Sequence, residues 1–142
     1  MSDAPATQKV TADYVQAERR GVVLRVPMEN ITHFTFSHKY AGAHYAGGEL
    51  ILSMSLVTIE EIVGKKLVRI SRSCLAMRQH LTLLEYDGLA GGGWVTAQSP
   101  HDPTKQIKLR VSRRELNPVK IAMGIKELKV PVTPHTFQGA PT

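Results

Sequence analysis

The sequence predicts a mainly β domain with one central helix. Short runs rich in β-branched and aromatic residues follow one another from residue 22 to residue 111, separated by glycine, proline and other turn residues. One segment, residues 55–66, shows the apolar period of an amphipathic helix. The 142 residues suit one domain with tails, since domains typically span about 100–150 residues.

The chain before the first predicted strand, residues 1–20, is expected to be a flexible or weakly helical tail. Thr11 is placed to cap a short helix and Gly21 is placed to end it. Strands are then predicted over residues 22–26, 31–36, 43–45, 49–53, 67–70, 74–77, 81–86, 94–97 and 106–111. The pair Gly47-Gly48 suits a hairpin turn between the third and fourth of these strands.

The central helix is the clearest single element. Ser55 can cap its first turn, and Lys65 and Lys66 suit its last turn. Its apolar face consists of Leu56, Ile59, Ile62 and Val63. No second amphipathic helix adjoins it in the sequence, so a helix-turn-helix is not predicted.

After the last strand, a short helical turn is predicted from Arg113, interrupted at Pro118 and resumed over residues 120–128. Residues 21–124 are therefore predicted to form the domain. Residues 125–142 contain three prolines and are expected to form a C-terminal tail.

Composition argues against several classes of protein. No run approaches the roughly 18–20 apolar residues of a membrane-spanning helix, and residues 1–20 lack the apolar core of a secretory signal, so a cytoplasmic location is expected. The single cysteine, Cys74, excludes an internal disulfide and is expected in the core. The six histidines show no metal-ligand spacing, and no catalytic grouping or cofactor motif is evident, so neither an enzyme nor a cofactor is predicted.

Positive charge is concentrated in one part of the chain. Between Lys65 and Arg114 there are ten basic and three acidic residues, whereas the rest of the chain has eight basic and nine acidic residues. A basic surface of this kind attracts phosphate polyanions. Charge alone fits a nucleic-acid partner and a merely solvated surface equally well. Anionic membrane lipid is disfavoured, because no basic amphipathic helix accompanies the charge.

Three segments, in this order, resemble the LytTR DNA-binding domains (LytR/AlgR type) of bacterial transcription regulators. They are residues 31–40 (ITHFTFSHKY), 67–75 (LVRISRSCL) and 109–114 (LRVSRR). The first is like the family's opening strand and the loop after it. The second follows a helix and is similar to the family motif F-x-R-[IV]-H-[RN]-S-[FY]-[LI]. The third is similar to the closing motif [LI]-P-V-S-R-R.

The chain also departs from the family pattern. Leu67 replaces an aromatic residue, Ser71 replaces a histidine, and Arg110 stands where proline is common. Met77 stands where the family often has asparagine, and the loop over residues 88–104 is longer and richer in glycine than usual.

The resemblance implies elongated antiparallel β-sheets that bind double-stranded DNA sequence-specifically and insert loops into successive major grooves. The implied function is transcription regulation by a domain that stands alone, without a receiver domain. Base contacts are implied for Lys39, Arg72 and Arg113, with His38, Tyr40 and Arg114 beside them. Arginine suits this role because its planar fork matches guanine O6 and N7. Phosphate contacts, which fix register without reading sequence, are expected from Arg69, Ser71, Ser73, Arg78, Lys105, Lys108 and Arg110.

The expected partner is double-stranded DNA with repeated half-sites about one helical turn apart, bound by two copies as a homodimer on DNA. A regulatory protein partner is a further expectation. A second hypothesis remains open, in which the chain is a protein-interaction module that regulates another DNA-binding protein by contact. RNA is disfavoured, because few aromatic side chains are expected at the surface for base stacking.

Overall fold

The computed structural model of the chain describes residues 7–102 and 104–125, which form a mainly β fold with three antiparallel sheets. The strands are β1 (Lys9–Val10), β2 (Tyr14–Arg19), β3 (Val22–Pro27), β4 (Ile31–Ser37), β5 (Tyr40–Tyr45), β6 (Gly48–Leu52), β7 (Leu67–Ser71), β8 (Cys74–Met77), β9 (Leu81–Tyr86), β10 (Gly93–Gln98) and β11 (Gln106–Val111). The α-helices are α1 (Leu56–Val63) and α2 (Leu116–Ala122). The predicted mainly β fold class is confirmed. Neither helix of the described residues is long and apolar enough to span a membrane.

The central sheet has the strand order β6-β5-β4-β8-β7 and supports a core on each face. Strand β8 shows why: its successive side chains point to opposite faces. Leu75 and Met77 join the core formed with α1 and the β1-β2-β3 sheet, whereas Cys74 and Ala76 join the core formed with the β9-β10-β11 sheet and α2. Cys74 is therefore a core residue, as predicted, and its burial raises the pKa of its thiol to about 12.

The prediction of a helical segment within the N-terminal tail is wrong, because β2 occupies that position. Val15 and Ala17 are fully buried, and they alternate with more exposed neighbours in the period of a strand. Arg20 and Gly21, with φ of 54° and 80°, form the two-residue turn to β3. Gly21 thus turns a hairpin instead of ending a helix, and β1 and β2 belong to the folded domain.

Helix α1 agrees with its prediction at its start but differs at one position of the apolar face and at its end, where Lys65 and Lys66 lie beyond the α-helix. Ser55 caps it by accepting a hydrogen bond from the backbone N–H of Thr58, at 3.1 Å. Leu56, Ile59 and Val63 are buried in the core, whereas Ile62 is 40% exposed. The helix ends at Val63, and a 3₁₀ turn over Gly64–Lys66 leads to β7.

The C-terminal helix also differs from its prediction. Pro118 does not interrupt it, because proline in the first helical turn leaves no hydrogen bond unmade. A 3₁₀ turn over Arg113–Glu115 leads directly into α2, and Val119 is fully buried in the second core. The domain therefore has two α-helices among the described residues instead of one. The predicted second turn over residues 120–128 ends at Ala122, and residues 126–128 lie outside the described range.

His33 is a buried polar side chain, 7% exposed, in the middle of the central sheet. It lies opposite His44 on β5, and the two rings stack with centroids 4.3 Å apart and planes 3° from parallel. Burial, and secondarily the neighbouring His44, lowers the pKa of His33 to about 4. The other titratable groups around this pair are Glu49 on β6 and, across a cleft, His101, Asp102 and Lys105.

We expect the free energy of unfolding to fall as the pH drops from about 6.5 to 4. In this window the unfolded chain takes up a proton at His33 that the folded chain excludes, so stability falls by about 1.4 kcal/mol per pH unit, up to about 3 kcal/mol. Urea denaturation at several pH values measures the slope. The variant His33→Gln should show a clearly shallower slope, and an unchanged slope would contradict the assignment.

Candidate nucleic-acid interface

The register of the central sheet brings the first two predicted segments to the same end of the molecule. Strand β4 ends at the hairpin tip formed by His38 and Lys39, and β8 pairs antiparallel with β4, so that Thr35 lies opposite Cys74. The backbone N–H of Phe36 donates to the carbonyl of Ser73 at 2.9 Å. The turn that carries Arg72 therefore lies beside the hairpin tip, about two strand spacings or roughly 10 Å away.

The third segment reaches this end through a backbone hydrogen bond between sheets. The N–H of Ser112 donates to the carbonyl of Ile70 at 2.9 Å. A depression of about 680 Å³ is lined jointly by Arg69, Ser71, Arg72, Ser112, Arg114 and Glu115. We call the surface made by residues 38–40, 72–73 and 112–114 the basic end.

The hairpin tip has a backbone conformation that its residues rarely adopt. His38 and Lys39 have φ of 51° and 79°, the pattern of a two-residue turn that usually contains asparagine or glycine. Each non-glycine residue in this region costs on the order of 1 kcal/mol. Strain of this kind is often found at functional sites. Both side chains, and that of Tyr40, are exposed.

Arg69 binds the backbone of the turn that carries Arg72. The Arg69 guanidinium donates to the backbone carbonyls of Ser71 and Arg72, at 3.2 and 3.3 Å. It also donates twice to Glu60 Oε1 on α1, at 3.1 and 3.3 Å. Arg69 therefore joins the helix to the turn, while the Arg72 side chain is exposed.

Arg113 lies against the loop that joins β9 and β10. A Cβ on Gly91 would come within 2.8 Å of the Arg113 side chain, so glycine allows that side chain to cross the loop backbone. Gly92 has φ of +68°, and a Cβ there would be 2.4 Å from the carbonyl oxygen of Val111. Gly91 and Gly92 thus let the loop pack directly against residues 111–113, at the end of the third segment.

Arg110 holds the same loop from the other side. Its guanidinium donates to Asp87 Oδ2 at 3.1 Å and to the carbonyl of Gly91 at 2.7 Å. The backbone N–H groups of Ala90 and Leu89 donate to Asp87 Oδ1, and these bonds, followed by that from Arg110, hold the pKa of Asp87 below its usual range. Both oxygens of the Asp87 carboxylate are therefore bound: Oδ1 binds the backbone of the loop, and Oδ2 binds Arg110.

The remaining predicted phosphate contacts are distributed elsewhere. Ser71 and Ser73 lie in the Arg72 turn, and Ser71 Oγ accepts from the N–H of Ser73 at 3.3 Å. Lys108 pairs with Glu85 at 3.1 Å on the outer face of the β9-β10-β11 sheet. Arg78 follows β8 and Lys105 precedes β11, so both lie at the end of their sheets opposite the basic end. A six-residue strand separates the two ends by roughly 20 Å.

Most of the domain matches a known protein family. The family described as the LytTr DNA-binding domain matches residues 21–124, most of the chain. The chain belongs to the LytTR DNA-binding family. The family resemblance predicted from three short segments is therefore confirmed, and the match extends over residues 21–124.

Two relatives extend the comparison. The positive alginate biosynthesis regulatory protein of Pseudomonas aeruginosa is 34% identical over 67 residues, which cover 47% of this chain and 27% of that protein. The chain thus matches about a quarter of the length of this curated relative. The LytTr DNA-binding domain of a methyl-accepting/DNA response regulator from Bacillus cereus has the same fold, with a TM-score of 0.65 and 13% identity, over 80% of this chain and 98% of that one.

Several residues that shape the LytTR basic end were not predicted from the sequence. Glu60 and Asp87 are acidic residues that bind Arg69 and Arg110, and Gly91 and Gly92 allow the close approach of Arg113, whereas Gly93 lies against the backbone of Glu85. A signal for the glycines exists in the sequence, since three successive glycines at a strand start indicate close backbone contact. The partners of Glu60 and Asp87 depend on tertiary contacts. Among residues 7–102 and 104–125, no cluster of three or more His, Cys, Asp or Glu is arranged to bind a metal ion.

We expect Gly92→Ala to destabilise the LytTR domain by about 2–4 kcal/mol, because its Cβ meets backbone atoms that cannot move aside. Gly21→Ala is the matched control: Gly21 has a positive φ of +80° in its hairpin turn, but nothing lies within 4 Å of its Cβ position. That control should cost about 1 kcal/mol from φ strain alone. Urea denaturation compares the two, and equal losses would contradict the close packing.

Proposed function

We propose that this chain is a transcription regulator that binds double-stranded DNA sequence-specifically through its basic end. The single observation that supports this most strongly is the meeting of the three segments at one end of the domain, with Lys39, Arg72 and Arg113 exposed. Membership of the LytTR DNA-binding family supports the same conclusion. The relative from Pseudomonas aeruginosa is described as a regulatory protein, which agrees with a regulatory role.

The roles of the individual residues follow from their placement. We assign base contacts to Lys39, Arg72 and Arg113, with His38, Tyr40 and Arg114 beside them, since these side chains extend from the basic end. We assign phosphate contacts to Ser73 and Ser71, whose hydroxyls lie in the Arg72 turn. Loops that enter successive major grooves, and two copies on repeated half-sites, complete the proposal.

The arginines at positions 69 and 110 receive a different role from the one their charge suggests. Both guanidinium groups already bind a carboxylate and backbone carbonyls. We therefore propose that Arg69 positions the turn that carries Arg72 and that Arg110 positions the loop against which Arg113 lies. Arg78 and Lys105, at the opposite end, and Lys108, on the outer sheet face, are left out of the proposed surface.

We expect Arg113→Ala to reduce the discrimination between a specific duplex and a scrambled duplex by about 1–3 kcal/mol, because one bidentate base contact is lost. The specific duplex comes from selection with random-sequence DNA, and fluorescence anisotropy at several salt concentrations measures both affinities. Lys105→Ala removes the same charge at the far end and should leave the discrimination unchanged. If no sequence is enriched, or if the two variants behave alike, the assignment of the basic end fails.

We expect Glu60→Gln to weaken specific DNA binding through Arg69, because Arg69 loses its carboxylate partner and the Arg72 turn loosens. The loss should be on the order of 0.5–1 kcal/mol, since the pair is partly exposed. Glu61→Gln removes the same charge from the adjacent position, where no ion pair is formed within the described residues. Equal affinities of the two variants for the selected duplex would refute the positioning role.

A further inference from the structure

Leu89 is the most exposed of the large apolar side chains that the structure describes. The residue is 92% exposed and belongs to neither core. A single exposed leucine is ordinary on a protein surface and needs no explanation by itself. The position of Leu89 distinguishes it, since the loop that joins β9 and β10 carries it at the basic end.

This loop lies at the end of its sheet where β11 also ends. Gly93, the first residue of β10, pairs with Val111, the last residue of β11. The Arg113 side chain crosses the loop at Gly91, where a Cβ would lie 2.8 Å from it. Leu89 is two residues from Gly91, and consecutive Cα atoms are about 3.8 Å apart, so the Leu89 Cα lies within roughly 12 Å of the Arg113 side chain. A duplex that Arg113 contacts therefore passes close to Leu89.

The backbone of Leu89 is held in place although its side chain packs in neither core. Its N–H donates to Asp87 Oδ1 at 3.0 Å, and the N–H of Gly91 donates to the Asp87 carbonyl at 2.9 Å. Arg110 binds the other carboxylate oxygen and the carbonyl of Gly91. Because the backbone is already ordered, a contact made by the side chain carries a smaller entropic cost. The loop thus presents an apolar group from a fixed support.

The thymine methyl group is the feature of the major groove that suits an aliphatic side chain. Each base pair shows a distinct pattern of donors and acceptors in this groove, and of the four bases only thymine adds a methyl group. The Leu89 side chain has no hydrogen-bonding group, so the polar base edges offer it no partner. A contact between leucine and the methyl group removes apolar surface of both from water.

We propose that Leu89 contacts the methyl group of a thymine close to the base that Arg113 reads. The distance of roughly 12 Å corresponds to about four base pairs, since each base pair rises about 3.4 Å. The inference rests on the proposed DNA-binding function and adds to it a position at which thymine is preferred.

The test replaces thymine by deoxyuridine, which lacks only the 5-methyl group. The duplex is the one enriched by selection with the unaltered chain, and each of its thymines is replaced in turn. Fluorescence anisotropy measures the affinity of the unaltered chain and of Leu89→Ala for each duplex. We expect one thymine near the Arg113 position whose replacement weakens binding of the unaltered chain about threefold to tenfold and leaves binding of Leu89→Ala unchanged.

Leu83→Ala is the matched control for the loss of an exposed leucine. Leu83 is 51% exposed and lies within β9, away from the loop. This variant should show the same sensitivity to deoxyuridine as the unaltered chain. Leu89→Ala is expected to fold, because neither core includes Leu89.

The outcomes separate this inference from the proposed function. If selection enriches no duplex, or if Arg113→Ala keeps its discrimination, the proposed function fails and the thymine contact fails with it. If Arg113→Ala loses discrimination while Leu89→Ala stays as sensitive to deoxyuridine as the unaltered chain, only the thymine contact is overturned. A loss of affinity in Leu89→Ala that is the same with and without the methyl groups would also overturn it, as would an enriched site with no thymine near the position that Arg113→Ala affects.

Discussion

The arrangement of the candidate interface depends on one constraint, the antiparallel register between β4 and β8. Pairing of Thr35 with Cys74 fixes which end of the central sheet carries both the hairpin tip and the Arg72 turn. The hydrogen bond from the N–H of Ser112 to the carbonyl of Ile70 then places the third segment, residues 109–114, at that end. A shift of one residue would move each β8 side chain to the opposite core, where Leu75 and Ala76 do not fit each other's space. Core packing therefore sets the geometry of the surface.

Positive charge at this end is divided between two kinds of arginine. Arg72 and Arg113 are exposed, whereas Arg69 and Arg110 are each bound to an acidic side chain and to at least one backbone carbonyl. A guanidinium suits the second role because it has five donors in one plane and can bind a carboxylate and a carbonyl at once. Arg69 thus binds the turn that carries Arg72, and Arg110 binds the loop against which Arg113 lies.

Strand positions were predictable from the sequence because period-two alternation and turn residues are local signals. The strands from β3 onward follow the predicted runs, and Ser55 caps α1 as expected. The error at β2 arose because Thr11 and Gly21 fit a helix or a hairpin equally well, and only burial of Val15 and Ala17 decides between them. The roles of Glu60 and Asp87 could not be predicted, since their partners lie 9 and 23 residues away and meet them through tertiary packing.

The hairpin tip at His38 and Lys39 is held by strand pairing and by its own turn, and its side chains belong to neither core. Substitutions there change the outline of the basic end while the packing of both cores stays the same. The cost of altering this position is consequently small, and glycine or asparagine would even relieve its backbone strain. Sequence variation at the tip is therefore a route by which one scaffold can acquire different partners while its fold stays unchanged.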